Sequence, residues 1–307
     1  MLAERLMPDV MIVDLMLPDE TGLDVILRVL RKRHVPIIVL SALSNDTVQK
    51  LGFRALLAGA ADLVGKPSDP GAMNAFFEDF NERIASLAAA QAVPTHRLLG
   101  LRNARLPASA NGSSVDCVVV GASTGGPPAL VELLNGLGAD FPAPVVIVQH
   151  IAAPFVEGLV RWLNQETPLP VQVARDGDRL EPGRGYVAPA NGDLLVLPNS
   201  TLSVRPVIPG RVSISPSADA LFESAADAFE SHCAGVLLSG MGKDGAAGLL
   251  KVRAKGGKTF AQDERSATIF GMPDAAGRAG AVQSFAEPRK IAAQLLKLFD
   301  KPERTTP

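Results

Sequence analysis

Residues 115–126 read Val-Asp-Cys-Val-Val-Val-Gly-Ala-Ser-Thr-Gly-Gly, and an apolar helical pattern follows over 127–137. The β-branched run predicts a strand, the glycines a tight turn, and the apolar spacing a helix. Gly121-Ala-Ser123-Thr-Gly125 fits the Gly-x-Ser-x-Gly nucleophile elbow, in which glycine allows a turn so sharp that the serine hydroxyl is exposed. Backbone N–H groups at the start of the helix would be near enough to hold an oxyanion. Ser123 is therefore a candidate nucleophile, although an ordinary strand-to-helix turn would give the same short motif.

Strand and helix patterns alternate on both sides of this turn, which predicts an α/β protein with doubly wound parallel sheets. At about 150 residues per domain, the 307 residues suggest two domains. We place the first over 1–88 and the second over 115–300, with a tail over 301–307. Residues 89–114 are rich in Ala, Pro, Ser, Asn and Gly and contain no acid, so they predict a linker. Within 170–215, short extended runs separated by turn residues predict one or two β-hairpins.

The predicted elements follow from apolar periodicity. The predicted strands are 10–13, 36–40, 62–64, 115–120, 144–149, 235–238 and 258–261, and the predicted helices are 22–32, 46–57, 70–88, 127–137, 154–164, 218–231, 245–254 and 287–299.

Composition narrows the class of protein. The chain is 47% hydrophobic and 20% charged, so it can bury a sizeable core. Its net charge of -2 gives no electrostatic reason to expect nucleic acid or an anionic membrane as a partner. We find neither an apolar run near the ~20 residues of a membrane span nor a signal peptide at the start. We therefore expect a cytoplasmic protein without membrane insertion, in which Cys117 and Cys233 are buried free thiols.

A serine nucleophile needs a base, and the base needs a group to orient it. Among the four histidines, His150 alone ends a predicted core strand, at the edge where catalytic groups of open α/β sheets collect. Asp244 and Asp263 both follow predicted strands at that edge. We favour Asp244, because its glycine-rich turn allows the backbone to approach a site closely. The order Ser, His, Asp differs from that of the α/β-hydrolases, so this triad would be a convergent one.

The same turn has a competing interpretation. Gly240-Met-Gly-Lys-Asp-Gly245 also matches G-x-G-x-x-G, follows a strand, opens a helix, and has Asp263 at the end of the next strand. A dinucleotide-dependent oxidoreductase is therefore an alternative. It would leave the pair of Ser123 and His150 unexplained. A Walker A loop is excluded, because Lys243 is followed by aspartate.

With these residues in hand, the chain resembles the chemotaxis protein-glutamate methylesterases (CheB), which are response regulators. The resemblance implies that Ser123, His150 and Asp244 form the triad and that Thr124 and Met241 line the oxyanion site. It also implies that no metal or organic cofactor is needed and that the substrates are methylated glutamates in the cytoplasmic domains of chemoreceptors, with glutamine deamidation possible. The matching segments are Gly121-Ala-Ser-Thr-Gly-Gly, Val148-Gln-His150, Tyr186-Val-Ala-Pro, Pro216-Ser-Ala-Asp-Ala-Leu-Phe222, Leu238-Ser-Gly-Met-Gly-Lys-Asp244-Gly-Ala-Ala-Gly and Phe270-Gly-Met-Pro273.

The first domain resembles part of the family's flavodoxin-like receiver domain. The resemblance implies that Asp14 is the phosphoacceptor, Ser41 the switch hydroxyl and Lys66 the phosphate-binding lysine, with a sensor histidine kinase as a partner if the receiver is functional. A receiver begins with a strand that bears an acidic pair for magnesium, and Asp9 and Glu4 are wrongly placed for that role. We therefore expect an N-terminally truncated receiver, through a misassigned start or decay, in which phosphorylation of Asp14 is impaired.

Two segments of the second domain depart from the family pattern. Val212-Ser-Ile-Ser-Pro216 lacks the usual basic residues, and Ala190-Asn-Gly-Asp193 lacks a frequent histidine. We expect both to face the substrate, so the receptor target would differ. A further alternative is a degenerate esterase that is kept as a non-enzymatic regulatory module. The intact set of Ser, His and Asp argues against it.

Overall fold

The structure is a computed structural model, and it describes residues 5–42, 46–67, 69, 71, 73–92, 115–190, 192–206 and 215–299. Contacts between Cα atoms divide the chain into two compact units, residues 1–102 with 157–162 and residues 103–156 with 163–307. Most of the predicted linker and part of the predicted hairpin region, 207–214, lie outside the described residues. No helix in the described part of the chain is long and apolar enough to cross a membrane.

The first unit contains a three-stranded sheet in the order β1-β2-β3. Both strand pairs are parallel, so the chain leaves every strand at the same edge of the sheet. The apolar run of β2 is almost wholly buried, as expected of a parallel strand with both faces covered. Its elements are β1 (Met11–Asp14), α1 (Gly22–Leu30), β2 (Ile37–Ser41), α2 (Asp46–Leu57), β3 (Asp62–Gly65) and α3 (Met73–Ala92).

The second unit is built on a seven-stranded parallel sheet in the order β12-β11-β10-β4-β5-β7-β6, together with the two-stranded sheet β8-β9. Its strands are β4 (Cys117–Ala122), β5 (Val145–Gln149), β6 (Val171–Val173), β7 (Gly185–Val187), β8 (Gly192–Val196), β9 (Leu202–Pro206), β10 (Cys233–Leu237), β11 (Lys258–Gln262) and β12 (Ser284–Ala286). Its helices are α4 (Gly126–Leu137), α6 (Ala218–Phe229), α7 (Ala246–Ala254), α8 (Met272–Arg278) and α9 (Pro288–Leu296). Helix α5 (Val156–Glu166) is divided between the units, since its residues 157–162 group with the first. The α/β, doubly wound fold that the sequence predicts is confirmed.

Strand β4 lies at the point where the strand order reverses. The chain continues to β5 on one side of β4 and later returns to β10 on the other. In open α/β sheets, such a switch point leaves a crevice beyond the carboxyl ends of the strands, where ligands bind. The predicted nucleophile, Ser123, directly follows β4 and so lies at this crevice.

The two cysteines begin neighbouring strands of the core. Cys117 of β4 and Cys233 of β10 are paired in the register of the sheet. Both are free and buried, as the sequence predicts. Burial raises the pKa of the Cys233 thiol to about 12, which makes it unreactive at neutral pH.

The prediction of one or two β-hairpins within residues 170–215 is confirmed by one hairpin. β8 and β9 form an antiparallel hairpin, whereas β6 and β7 pair in parallel at one edge of the large sheet. The segment between β6 and β7 bonds to the β8–β9 turn instead of turning back, as shown by the bonds from Leu180 N to Ser200 O (2.9 Å) and from Leu202 N to Asp178 O (2.8 Å). The short elements α8 and β12 were not predicted.

Candidate active site

Ser123 lies in a tight turn between strand β4 and helix α4. The N–H of Ser123 donates to Ser239 O (3.0 Å), and the Ser123 carbonyl accepts from Gly126 N (2.8 Å). Gly125, the N-cap of α4, has a φ of 77°, a left-handed conformation that favours glycine. A Cβ atom there would lie 2.4 Å from the Cβ of Thr268, so the turn has no room for a side chain.

His150 leaves the sheet beside Ser123. Ala122 and Gln149 are the last paired residues of β4 and β5, and His150 N donates to Ala122 O (2.9 Å). Ser123 and His150 are thus the first residues beyond two neighbouring strands. The His150 ring donates from Nε2 to Asp244 Oδ2 (2.9 Å). In the neutral ring, Nδ1 is then the nitrogen that can accept a proton. The Ser123 hydroxyl has no hydrogen bond among the described residues, so its contact with His150 stays a prediction.

The Asp244 carboxylate is held at the N-terminus of α6. Its two oxygens accept from Ala218 N (2.7 Å), Asp219 N (3.0 Å), Ser217 Oγ (3.0 Å) and His150. Burial alone would raise the pKa of Asp244, but the bonds from His150 and from the two N–H groups outweigh it and hold the pKa below its usual value. Asp244 is therefore an anion that is ready to orient and stabilise a protonated histidine.

Helices α6 and α7 cap each other, because a carboxylate at the start of each accepts from backbone N–H groups in the first turn of the other. Asp244 precedes α7 and binds the first N–H groups of α6, while Asp219 in the first turn of α6 accepts from Gly248 N of α7 (2.7 Å). Carboxylates are favourable at helix N-termini, because the exposed N–H groups carry partial positive charge. Sequence analysis found Ser217 and Asp219 only as part of a matching motif. The N-cap pattern at Ser217 was the available signal.

The residues proposed for the oxyanion site adjoin Ser123. A Cβ atom on Gly240 would lie 2.8 Å from the Ser123 Cβ and 2.2 Å from the Met272 Sδ, so the turn at Gly240 packs directly on Ser123. Thr124 follows Ser123 and is buried, and Met241 is half-buried. The glycine-rich turn thus allows the backbone to approach Ser123 closely. By its sequence pattern alone, the same turn would also suit a dinucleotide-binding site.

The predicted phosphorylation site lies at one edge of the three-stranded sheet of the first unit. At the ends of β1, β2 and β3 stand Asp14, Ser41 and Lys66. Asp14 pairs with the Lys66 ammonium group and accepts from Met16 N (3.1 Å), and Ser41 is fully buried. Burial acts to raise the pKa of Asp14, but the bond from Lys66 and the N–H of Met16 lower it overall. Among the described residues, no group of three His, Cys, Asp or Glu side chains could hold a metal ion. Impaired phosphorylation of Asp14 stays a prediction.

Comparisons with known proteins agree for both units. The family model described as "CheB methylesterase" matches residues 118–295, and that described as "Response regulator receiver domain" matches residues 1–78. A protein-glutamate methylesterase/protein-glutamine glutaminase 3 of Myxococcus xanthus is 41% identical over 277 residues, which cover 90% of this chain and 76% of that protein. A protein-glutamate methylesterase/protein-glutamine glutaminase 2 of Anaeromyxobacter dehalogenans is 44% identical over 284 residues, covering 92% of this chain and 80% of that protein.

A solved structure is similar as well. The catalytic domain of the Thermotoga maritima CheB methylesterase has 34% sequence identity and a TM-score of 0.57. The match covers 60% of this chain and 99% of that domain, so the fold likeness extends over the whole of the solved domain.

Proposed function

The chain belongs to the CheB methylesterase family, and on that premise we propose that it hydrolyses γ-glutamyl methyl esters of proteins with Ser123, His150 and Asp244 as its triad. The observation that carries the assignment of residues is the bond between His150 and the anionic Asp244, at the switch point where Ser123 directly follows the central strand β4.

The acylation step uses these groups in sequence. Ser123 Oγ attacks the ester carbonyl while the free nitrogen of His150, Nδ1, takes the hydroxyl proton. Backbone N–H groups near Thr124 and Met241 hold the oxyanion, each worth about 3 kcal/mol to the transition state. The C–O bond to the methoxy group then breaks, and His150 returns the proton so that methanol leaves. An acyl-enzyme remains on Ser123.

Deacylation reverses the roles. His150 takes a proton from water, the resulting hydroxide attacks the acyl-enzyme, and the proton passes to Ser123 Oγ as glutamate is released. Asp244 stabilises the imidazolium form of His150 in both steps, since its four donors keep it ionised. The same steps with an amide substrate release ammonia, the glutaminase activity by which its relatives are named.

The family acts on chemoreceptors, and a receiver domain implies control by phosphorylation. We extend this to specific partners: the methylated cytoplasmic domains of chemoreceptors as substrate, and a sensor histidine kinase that acts on Asp14 if the receiver is functional. These partners place the enzyme in the cytoplasm, beside the membrane and not inserted in it. No metal or organic cofactor enters the chemistry.

Methanol release from methylated receptor fragments tests the proposal. Ser123→Ala should reduce release by more than about 10³-fold, since the acyl-enzyme of the proposed mechanism forms on Ser123. Ser203→Ala, the same change on β9, is the matched control and should keep the wild-type rate. Residual wild-type release in Ser123→Ala would show that another residue is the nucleophile. An inactive wild type would return the protein to the regulatory-module alternative.

A further inference from the structure

A belt of buried polar groups, which we call the polar belt, lies beneath the candidate site. It consists of Gln149, Ser123, Thr124, Ser239 and Gln262, which follow or end four neighbouring strands. Ser239 Oγ donates to Thr124 O (2.8 Å), and Ser239 N donates to Gln262 Oε1 (2.8 Å). Buried polar groups persist where they are satisfied and fix a unique arrangement.

Gln149 forms the end of the belt nearest the histidine. Its side chain is almost fully buried, with 4% of the residue exposed. The amide Nε2 donates to Ser123 O (2.8 Å) and to His150 O (3.1 Å). One amide group therefore holds the backbones of the nucleophile and of the base together.

The position of this amide matters because the sheet ends there. The bond from His150 N to Ala122 O is the last backbone bond between β4 and β5. Beyond it, the Gln149 amide supplies the next link between the two chain segments. Its Oε1 atom accepts no hydrogen bond in the described part of the chain. The hydrogen bonds of this side chain are therefore the two that Nε2 donates to carbonyl groups.

Glycine at position 126 makes room for the amide. A Cβ atom on Gly126 would lie 2.2 Å from Gln149 Oε1, closer than any real contact. The second glycine after the elbow serine thus allows the Gln149 amide to reach under Ser123.

We propose that Gln149 is a positioning residue, whose two N–H···O bonds set the placement of Ser123 relative to His150. This inference rests on the proposed function, because it concerns the same nucleophile and base. A small misplacement of a nucleophile slows the chemical step steeply while leaving substrate binding largely intact. Loss of the amide should therefore lower kcat and leave KM almost unchanged.

Two variants separate positioning from general stability. Gln149→Leu removes both donors and should lower kcat about 10- to 100-fold at unchanged KM. Gln149→Glu places a carboxylate against two carbonyl oxygens, and only its protonated form has an O–H to donate. The ratio of its kcat to that of the wild type should therefore rise toward acid pH, by up to about tenfold per pH unit above the pKa of the introduced carboxyl.

The controls keep this result distinct from the proposed function. Gln283→Leu removes a glutamine that accepts from Thr259 N (2.9 Å), away from Ser123, and should keep the wild-type kcat. Methylated receptor fragments serve as substrate, and thermal unfolding is followed for every variant. A wild type that is inactive, or a fully active Ser123→Ala, would defeat the proposed function itself.

With an active wild type, two results would overturn the positioning role alone. One is Gln149→Leu with the kcat of the wild type. The other is a kcat ratio for Gln149→Glu that stays flat or falls toward acid pH. If Gln149→Leu does not fold, the ratio for Gln149→Glu decides.

Discussion

At the residue scale, Asp244 combines burial with four hydrogen-bond donors on one carboxylate. Replacing it with asparagine keeps the shape but removes the charge that orients and stabilises the histidine. We expect Asp244→Asn to lower kcat about 10⁴-fold, the scale seen when a triad carboxylate is neutralised. Asp263→Asn, at the end of a neighbouring strand, should keep the wild-type rate. An active Asp244→Asn would assign the orienting role to another acid.

The same carboxylate predicts a pH dependence of stability. The pKa of Asp244 is lower in the folded protein than its usual 3.8, so its charge stabilises the fold above pH ~3.8 and this contribution is lost as pH falls through the folded value. The stability advantage of the wild type over Asp244→Asn should therefore be constant near neutral pH and shrink below pH ~4. Burial raises the pKa of Asp219, so Asp219→Asn should instead gain on the wild type as pH rises. Urea unfolding at several pH values measures both signs.

Gly240 shows how little space the site leaves. A methyl group there would press on Met272 and Ser123, both of which are buried. We expect Gly240→Ala to cost about 1–3 kcal/mol of stability and to lower kcat about 100-fold, because the nucleophile must shift. Gly138→Ala is the control: its φ of 81° strains an alanine, but no atom lies within 4 Å of the added methyl. Equal loss of kcat in both variants would show that displacement of Ser123 is not the cause.

Sequence could predict Ser123, His150 and Asp244 as candidates, because each follows a strongly apolar strand or a glycine-rich turn. It could not predict the role of Gln149 or Ser217. Those side chains act on residues that are distant in the chain, and their contacts depend on which strands and helices lie side by side. The segments that resemble the family include Gln149 and Ser217, but the resemblance does not say what these two side chains contact.

At the element scale, helix α3 is fastened to β3 by a buried ion pair. Arg83 Nη1 donates to Asp62 Oδ2 (2.6 Å), and Arg83 Nε donates to Asp79 Oδ2 (2.7 Å). Burial would lower the pKa of Arg83, but the two carboxylates raise it above its usual value. Removing one partner of a buried pair leaves an uncompensated charge, which is costly.

We therefore expect Arg83→Met to destabilise the first unit by about 3–5 kcal/mol. Arg28→Met is the matched control, since Arg28 pairs with Glu20 on the surface, where water screens both charges. Hydrogen exchange of the full chain, read over residues 5–92, measures the effect. Equal protection in the two variants would mean that the Arg83 pair contributes no more than a surface pair.

Strongly apolar elements could be predicted well, because buried parallel strands read as continuous apolar runs; β4, β5 and β10 are examples. Sequence could not decide between one hairpin and two within residues 170–215, because β6 and β7 pair in parallel and the segment that connects them bonds elsewhere. The prediction missed α8 and β12, which are too short for a periodic pattern to stand out.

At the scale of the whole molecule, the order of strands creates the site. The proposed nucleophile, base and acid come from segments after β4, β5 and β10, which are neighbours in the sheet but lie far apart in sequence. The local pattern of apolar residues predicts where the strands are, but the order of the strands follows from how the helices pack. The switch point at β4 could therefore be expected only by analogy with other open sheets.

The division into two compact units predicts two cooperative transitions in the full chain. The second unit contains a hydrophobic cluster of buried residues between Cys117 and Ala281, and the ion pair of Arg83 lies wholly within the first unit. Calorimetry should show Arg83→Met lowering one transition and Gly240→Ala the other, because each unit has its own core. Loss of esterase activity on heating should follow the transition that Gly240→Ala moves. A single transition shifted by both variants would contradict the division, since it would make the two cores one cooperative unit.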